Sequence, residues 1–344
     1  MKKRHGLTLL IILATVVALS VYYTADPIWT SSGKDTPPVV RVGVLPDMSE
    51  NDLRQRYDPL MQYLSEEIGL DFRLIIPVDY ADLLRLFGRG EVDLALFGGV
   101  TFVQANDLHQ AEPLVMRDVD TRFVSVFLVR HNDPAAELSD FKGKVFAFCS
   151  TLSTSGHLMP RYFLQHDKQI IPENFFSRVV YSGAHDKTAY MVRDGEADIG
   201  AVNAEIVNGM LRDGRLKQGD LRVVWQTPPY PNYVWAVPRH LNEDIKTQLR
   251  DAYLQLDVND EHHRQILAGF GAKSFLPAGG RQFQPLQQIA HRITSCEQSM
   301  KIVCIQPFAS EERNLFIHKI RKRQLHSFFG LVVLCDILPK TTLG

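Results

Sequence analysis

Ser153-Thr154-Ser155-Gly156 stands between an apolar run, Lys144-Val145-Phe146-Ala147-Phe148, and a helical pattern around Tyr162-Phe163-Leu164. Three successive hydroxyl residues and a glycine therefore sit where a strand hands over to a helix. The first N–H groups of a helix lack internal partners and carry the positive end of its dipole. Hydroxyl donors added to such a turn make a receiver for a small anion. The plainer role for Ser153 or Thr154 is a helix cap, which is the commoner use of such residues.

Enzymatic chemistry finds less support. Ser155-Gly156 is not the G-x-S-x-G elbow of hydrolases, and no P-loop or dinucleotide fingerprint is present. His262-His263 lies in a charged stretch, Asn259 to Arg264, that reads as a solvated helix face. Asp93 and Asp198 fall in matching G-E-x-D turns and read as structural. No zinc spacing or C-x-x-C pair occurs among the four cysteines, so neither a metal nor another cofactor is expected. Cys149 belongs to the buried strand, and Cys296 with Cys304 could close a small disulfide.

The elements that must hold the turn alternate. Strands read at Val39 to Leu45, Phe72 to Val78, Leu94 to Phe97 and Phe123 to Arg130. They continue at Lys144 to Phe148, Val179 to Tyr181, Ile199 to Val202, Val223 to Gln226 and Val234 to Val237. Helices read from Asp58-Pro59 to Gly69, from Tyr80 to Arg89, from about Thr101, and from about Lys187 to Arg193. This order indicates α/β domains on largely parallel sheets. Gly90-Glu91-Val92-Asp93 is echoed by Gly195-Glu196-Ala197-Asp198, each before a strand. Two lobes built alike would place a ligand between them at the carboxyl ends of the strands.

The 344-residue chain begins with a basic Met1 to Arg4 and an apolar run from Gly6 to Tyr23. That run has the form of an export signal or a short membrane anchor, with a linker to about Pro38. Both outcomes put the body outside the cytoplasmic membrane. Residues 26–295 carry a net charge of −7, which argues against nucleic acid. Residues 295–344 read as a tail without a site, since its apolar run, Phe328 to Cys335, is too short to span a bilayer.

Six segments in order carry a resemblance: Tyr57-Asp58-Pro59-Leu60, Phe97 to Ala105, Ser153 to Gly156 with Pro160, Ser182 to Asp186, Asp198 to Asn203, and Pro228 to Tyr233. Together they resemble the phosphonate/phosphite-binding family (PhnD-like) of ABC transporter solute receptors, which are type 2 periplasmic binding proteins. The similarity runs from about Val39 to Pro277. It implies a two-lobed α/β receptor, with residues 39–130 and 228–290 in one lobe and 131–227 in the other, each built on a mostly parallel sheet. It implies a tetrahedral oxyanion held by Ser153, Thr154, Ser155 and His185, with Tyr80, Thr101 and Phe102 opposite. The implied partner is an ABC permease, and the implied location the periplasm, tethered to the membrane if the N-terminal segment is retained. A membrane-anchored sensory domain reporting to a signalling partner is the alternative. Phe102 stands where many members have tyrosine. Asn203 and Asn232 stand near positions where receptors for aminoalkyl phosphonates place carboxylates. A simple oxyanion, such as phosphite, phosphate or methylphosphonate, is therefore expected over an amine-bearing one.

Overall fold

The chain first lays down β1 (Val39–Val44), α1 (Glu50–Ile68), β2 (Asp71–Ile75), α2 (Tyr80–Gly88), β3 (Leu94–Phe97), α3 (Gly99–His109) and β4 (Ala111–Arg117). It then crosses over to build β5 (Ser125–Arg130), β6 (Val145–Phe148), α4 (Met159–His166), β7 (Arg178–Tyr181), α5 (His185–Arg193), β8 (Ile199–Asn203), α6 (Ala204–Arg212) and β9 (Leu221–Gln226). It returns with β10 (Val234–Pro238), α7 (Glu243–Leu254), α8 (Glu261–Gly269) and β11 (Phe275–Pro277). These positions come from a computed structural model that describes residues 39–290 and residue 293. The export-like segment, the linker, Cys296, Cys304 and the tail lie outside the described residues.

Two sheets result, ordered β11-β4-β10-β3-β1-β2 and β7-β6-β8-β5-β9. Both belong to the unit that ends at Gln282; residues from Phe283 onward group separately. The sheets are mixed, not simply parallel. β1, β2 and β3 pair in parallel, as do β6, β7 and β8, but β10 and β5 pair antiparallel to their neighbours. The reason is connectivity: each of these two strands enters its sheet directly from the other lobe, from the end opposite to that used by a crossover helix. For the same reason the lobe boundary differs from the expected 130/131. β5 lies between β8 and β9 in the second sheet, so the chain has already crossed by Ser125. The crossing segments pair with each other, Phe123 and Tyr230 exchanging both backbone hydrogen bonds at 2.8 and 2.9 Å.

The echoed G-E-x-D turns do one job twice. Asp93 accepts the N–H of Arg41 at 2.9 Å and gives its own N–H to the Arg41 carbonyl at 2.8 Å. Asp198 does the same with Val145, at 2.9 Å each way. Arg41 and Arg130 close ion pairs to these carboxylates. Gly90 and Gly195 turn the chain at φ 67° and 81°, the left-handed region that suits glycine.

α1 differs most from expectation. It begins at Glu50, capped by Ser49, whose side chain accepts the N–H of Asp52, and runs through Pro59 to Gly69. Gln55 and Pro59 both lie on the exposed face, where water can satisfy the carbonyl that proline leaves unpartnered. Among the described residues no helix is long and apolar enough to cross a membrane.

β6 anchors the hydroxyl turn. Phe146 and Phe148 are fully buried in a cluster with Phe127, Phe141, Phe176 and Leu164. Each such side chain contributes roughly 1.5–3 kcal/mol on burial, which fixes the strand end from which the turn departs.

Candidate functional site

After Phe148 the backbone does not enter α4 directly. Residues 154–158 form one wide π turn, with the Leu158 N–H reaching the Ser153 carbonyl at 3.0 Å. Such widened turns recur at functional sites. The Cys149 N–H ties the turn back through the Gly156 carbonyl at 2.9 Å. Gly156 is required by space: a Cβ there would lie 2.2 Å from Cys149 Cβ and 2.8 Å from His185 Cε1. Ser153 does cap the turn, its Oγ accepting the Gly156 N–H at 3.0 Å. Ser153, Thr154 and Ser155 are all buried.

His185, at the first position of α5, is fully buried beneath this turn. The Asn203 N–H donates to its Nδ1 at 3.1 Å, which leaves the proton on Nε2. That nitrogen lies 3.4 Å from Ser153 Oγ and 3.5 Å from Ser155 Oγ. Burial pulls the imidazole down to about 3, so it is neutral at physiological pH. It therefore offers one donor, not two. Three polar groups converge there without a fixed charge among them.

Behind the turn, His157 holds the Thr151 carbonyl through Nδ1 at 2.8 Å, while Arg161 donates to its Nε2 at 2.9 Å. Arg161 is in turn paired with Glu173 and Tyr181. Sequence reading missed this bracing. The i, i+4 spacing of His157 and Arg161 is the local signal it leaves in the sequence.

The first lobe presents α3 to the turn. Its opening N–H groups are met by side chains: Gly99 donates to Asn232 Oδ1 at 3.4 Å, and Val100 to Thr154 Oγ1 at 2.9 Å across the cleft. Thr101 donates its hydroxyl to the Gly98 carbonyl at 3.0 Å, within the start of the same helix. Phe102 and Tyr80 are buried in the same wall, and the Tyr80 hydroxyl lies 4.0 Å from Cys149 Sγ. Burial pushes the Cys149 thiol up to about 12, in keeping with an inert packing role. Further ties cross the cleft: the His185 N–H to the Asp47 carbonyl at 3.0 Å, the Ser49 N–H to Asp186 Oδ2 at 3.1 Å, and Arg215 to Asp52 at 2.7 Å. The lobes are closed on one another.

Asn203 and Asn232 differ in how far their amides are engaged. Asn203 Oδ1 caps α6, accepting from Glu205 and Ile206, and its Nδ2 donates to the Tyr233 hydroxyl at 3.2 Å. Its amide oxygen is thus already used. Asn232 keeps Nδ2 buried and unpartnered. Nor is the cleft free of carboxylate. Asp47, just past β1, is buried, and its Oδ2 accepts the Tyr233 hydroxyl at 2.8 Å. Burial above all raises this carboxyl to about 6. Sequence reading missed it, because Leu45-Pro46-Asp47 carries no motif. Among the described residues no cluster of histidine, cysteine, aspartate and glutamate could hold a metal ion.

Comparison with known proteins agrees with this architecture. The family model described as "ABC transporter, phosphonate, periplasmic substrate-binding protein" matches residues 42–283. The chain is 31% identical over 278 residues to the probable ABC transporter phosphite binding protein PhnD1 of Prochlorococcus marinus, covering 77% of this chain and 93% of that one. The solved structure of PhnD1 with methylphosphonate superposes with a TM-score of 0.70, at 30% identity, covering 74% of this chain and 98% of that one. The phosphonates-binding periplasmic protein of Escherichia coli is 23% identical, covering 81% of this chain and 84% of its own. A two-lobed fold with a closed cleft, and a match over most of its described length, make this chain a member of the phosphonate-binding periplasmic substrate-binding family of ABC transporters.

Proposed function

We propose that the cleft binds a small tetrahedral oxyanion of the phosphite, phosphonate or phosphate class and delivers it to an ABC permease outside the cytoplasmic membrane. The observation that carries this reading is the convergence of a neutral His185 Nε2–H with Ser153 and Ser155 on the π turn. Neutral donors suit such a ligand, because its charge is then answered by hydrogen bonds without a buried countercharge to desolvate. Thr154 adds a hydroxyl whose present partner, the Val100 N–H, is an opening donor of α3. In this reading an anion entering the open cleft takes donors from both helix starts, and the lobes close over it. Tyr80 and Phe102 exclude water from the first-lobe side. The relatives support the ligand class: one is described as binding phosphite and was solved with methylphosphonate.

The test is a thermal-shift and calorimetric panel of phosphite, methylphosphonate, phosphate, sulfate and selenate. A ligand at 100 times its dissociation constant should stabilise the fold by about 2.7 kcal/mol. Absence of any shift across the panel would refute the reading.

A further inference from the structure

Buried polar atoms almost always have partners, so those without one point to something that is missing. Among the described residues three buried side-chain atoms have none, and two of them, Asp47 Oδ1 and Asn232 Nδ2, border the cleft. One can only accept while ionised and the other can only donate. The Asp47 carboxylate is held in place on its other oxygen by Tyr233, which is itself held by Asn203, whose N–H orients His185. Asp47 also receives the His185 N–H on its own carbonyl. It thus belongs to the same hydrogen-bonded ring as the candidate anion donors. Among the described residues no ion pair reaches it: Arg117 is spent on Asp120 and the Phe270 carbonyl, and Arg56, which borders the same small pocket, favours the ionised carboxylate from a distance without pairing to it.

We propose that Asp47 Oδ1 accepts a proton carried by the bound oxyanion, and so selects an oxyanion that keeps a proton near neutral pH over one that keeps none. Hydrogen phosphite, hydrogen phosphonate and hydrogen phosphate offer an O–H to Asp47 and a bare oxygen to Asn232. Sulfate offers only bare oxygens. One of these would face the carboxylate, and like charges at such a contact are strongly disfavoured. This inference rests on the oxyanion reading above and refines it.

The experiment is titration calorimetry of the full protein at pH 7 with methylphosphonate, phosphate and sulfate, on the wild type and on Asp47→Asn. The wild type should prefer methylphosphonate to sulfate on the order of 100-fold, and the variant by less than about tenfold, since the amide presents no charge. A second measurement uses the wild type alone. At pH 8.5, methylphosphonate binding should take up about one proton per ligand, read from the heats in buffers of different ionisation enthalpy. Sulfate binding should take up none. If the wild type binds none of the three anions, the oxyanion reading itself fails. If it binds methylphosphonate, but Asp47→Asn leaves the selectivity unchanged and no proton is taken up, Asp47 holds only a water and the inference is overturned. Tighter wild-type binding of aminoethylphosphonate than of methylphosphonate, lost in Asp47→Asn, would overturn it too, by showing that Asp47 answers a cation.

Discussion

Asp47→Asn should make the empty protein more stable at neutral pH, an uncommon outcome for a change at a buried position. The amide keeps the shape of the carboxylate and an oxygen for the Tyr233 hydroxyl. What it removes is a charge that the interior holds at a cost. Burial raises the carboxyl from 3.8 to about 6, against the opposing pull of Arg56 and Tyr233. A raised acid favours the fold while protonated, and that contribution is lost as pH climbs from the unfolded value through the folded one. At about 1.36 kcal/mol per unit, the ionised carboxylate weighs against the fold by ~3 kcal/mol at pH 7.5 and ~1 kcal/mol at pH 4.5. His185 titrates in the opposite sense, but it is common to both proteins and cancels in their difference. Urea denaturation of wild type and variant at the two pH values, with m-values compared, measures this directly. The variant should gain about 3 kcal/mol at pH 7.5, and the gain should shrink by ~2 kcal/mol at pH 4.5. A gain that is absent, or that grows toward acid, would refute the placement of a buried, unpaired charge at Asp47.

Ser155→Ala should weaken oxyanion binding by about 1.5–3 kcal/mol with little change in melting temperature, because its hydroxyl caps nothing. Ser153→Ala should lose affinity similarly and also ~1 kcal/mol of stability, since its oxygen holds the Gly156 N–H; calorimetry beside thermal melting separates the two. Gly156→Ala should destabilise by about 1–3 kcal/mol in denaturant titration, because the new methyl would press on Cys149 and His185. Thr154→Val removes the acceptor of the Val100 N–H, and the empty protein should show a larger radius of gyration by small-angle scattering. The lowered pKa of His185, about 3, makes the fold lose stability as pH falls below 6.5 toward 3, and His185→Gln should flatten that limb in pH-stepped denaturation.

The sequence by itself determined the alternating elements, the two G-E-x-D turns, the position of the hydroxyl turn after a buried strand, and the family. These depend on local periodicity, turn chemistry and short motifs, which neighbouring residues encode. It misplaced the start of α1, because proline reads as a beginning when the face it occupies is unknown. It also put β5 in the wrong lobe, since a strand's run of apolar residues does not say which sheet receives it. Within the site, it nominated Ser153, Ser155 and His185, but not the tautomer of His185, which depends on an N–H eighteen residues away. It did not show that the Asn203 amide, besides capping its own helix at Glu205, is tied to Tyr233 thirty residues away. Asp47 was invisible, because what marks it is burial without a charge partner, and burial is a property of the closed cleft. Hydrogen-bond partners, protonation and desolvation belong to groups brought together from distant parts of the chain, and only the tertiary structure decides them.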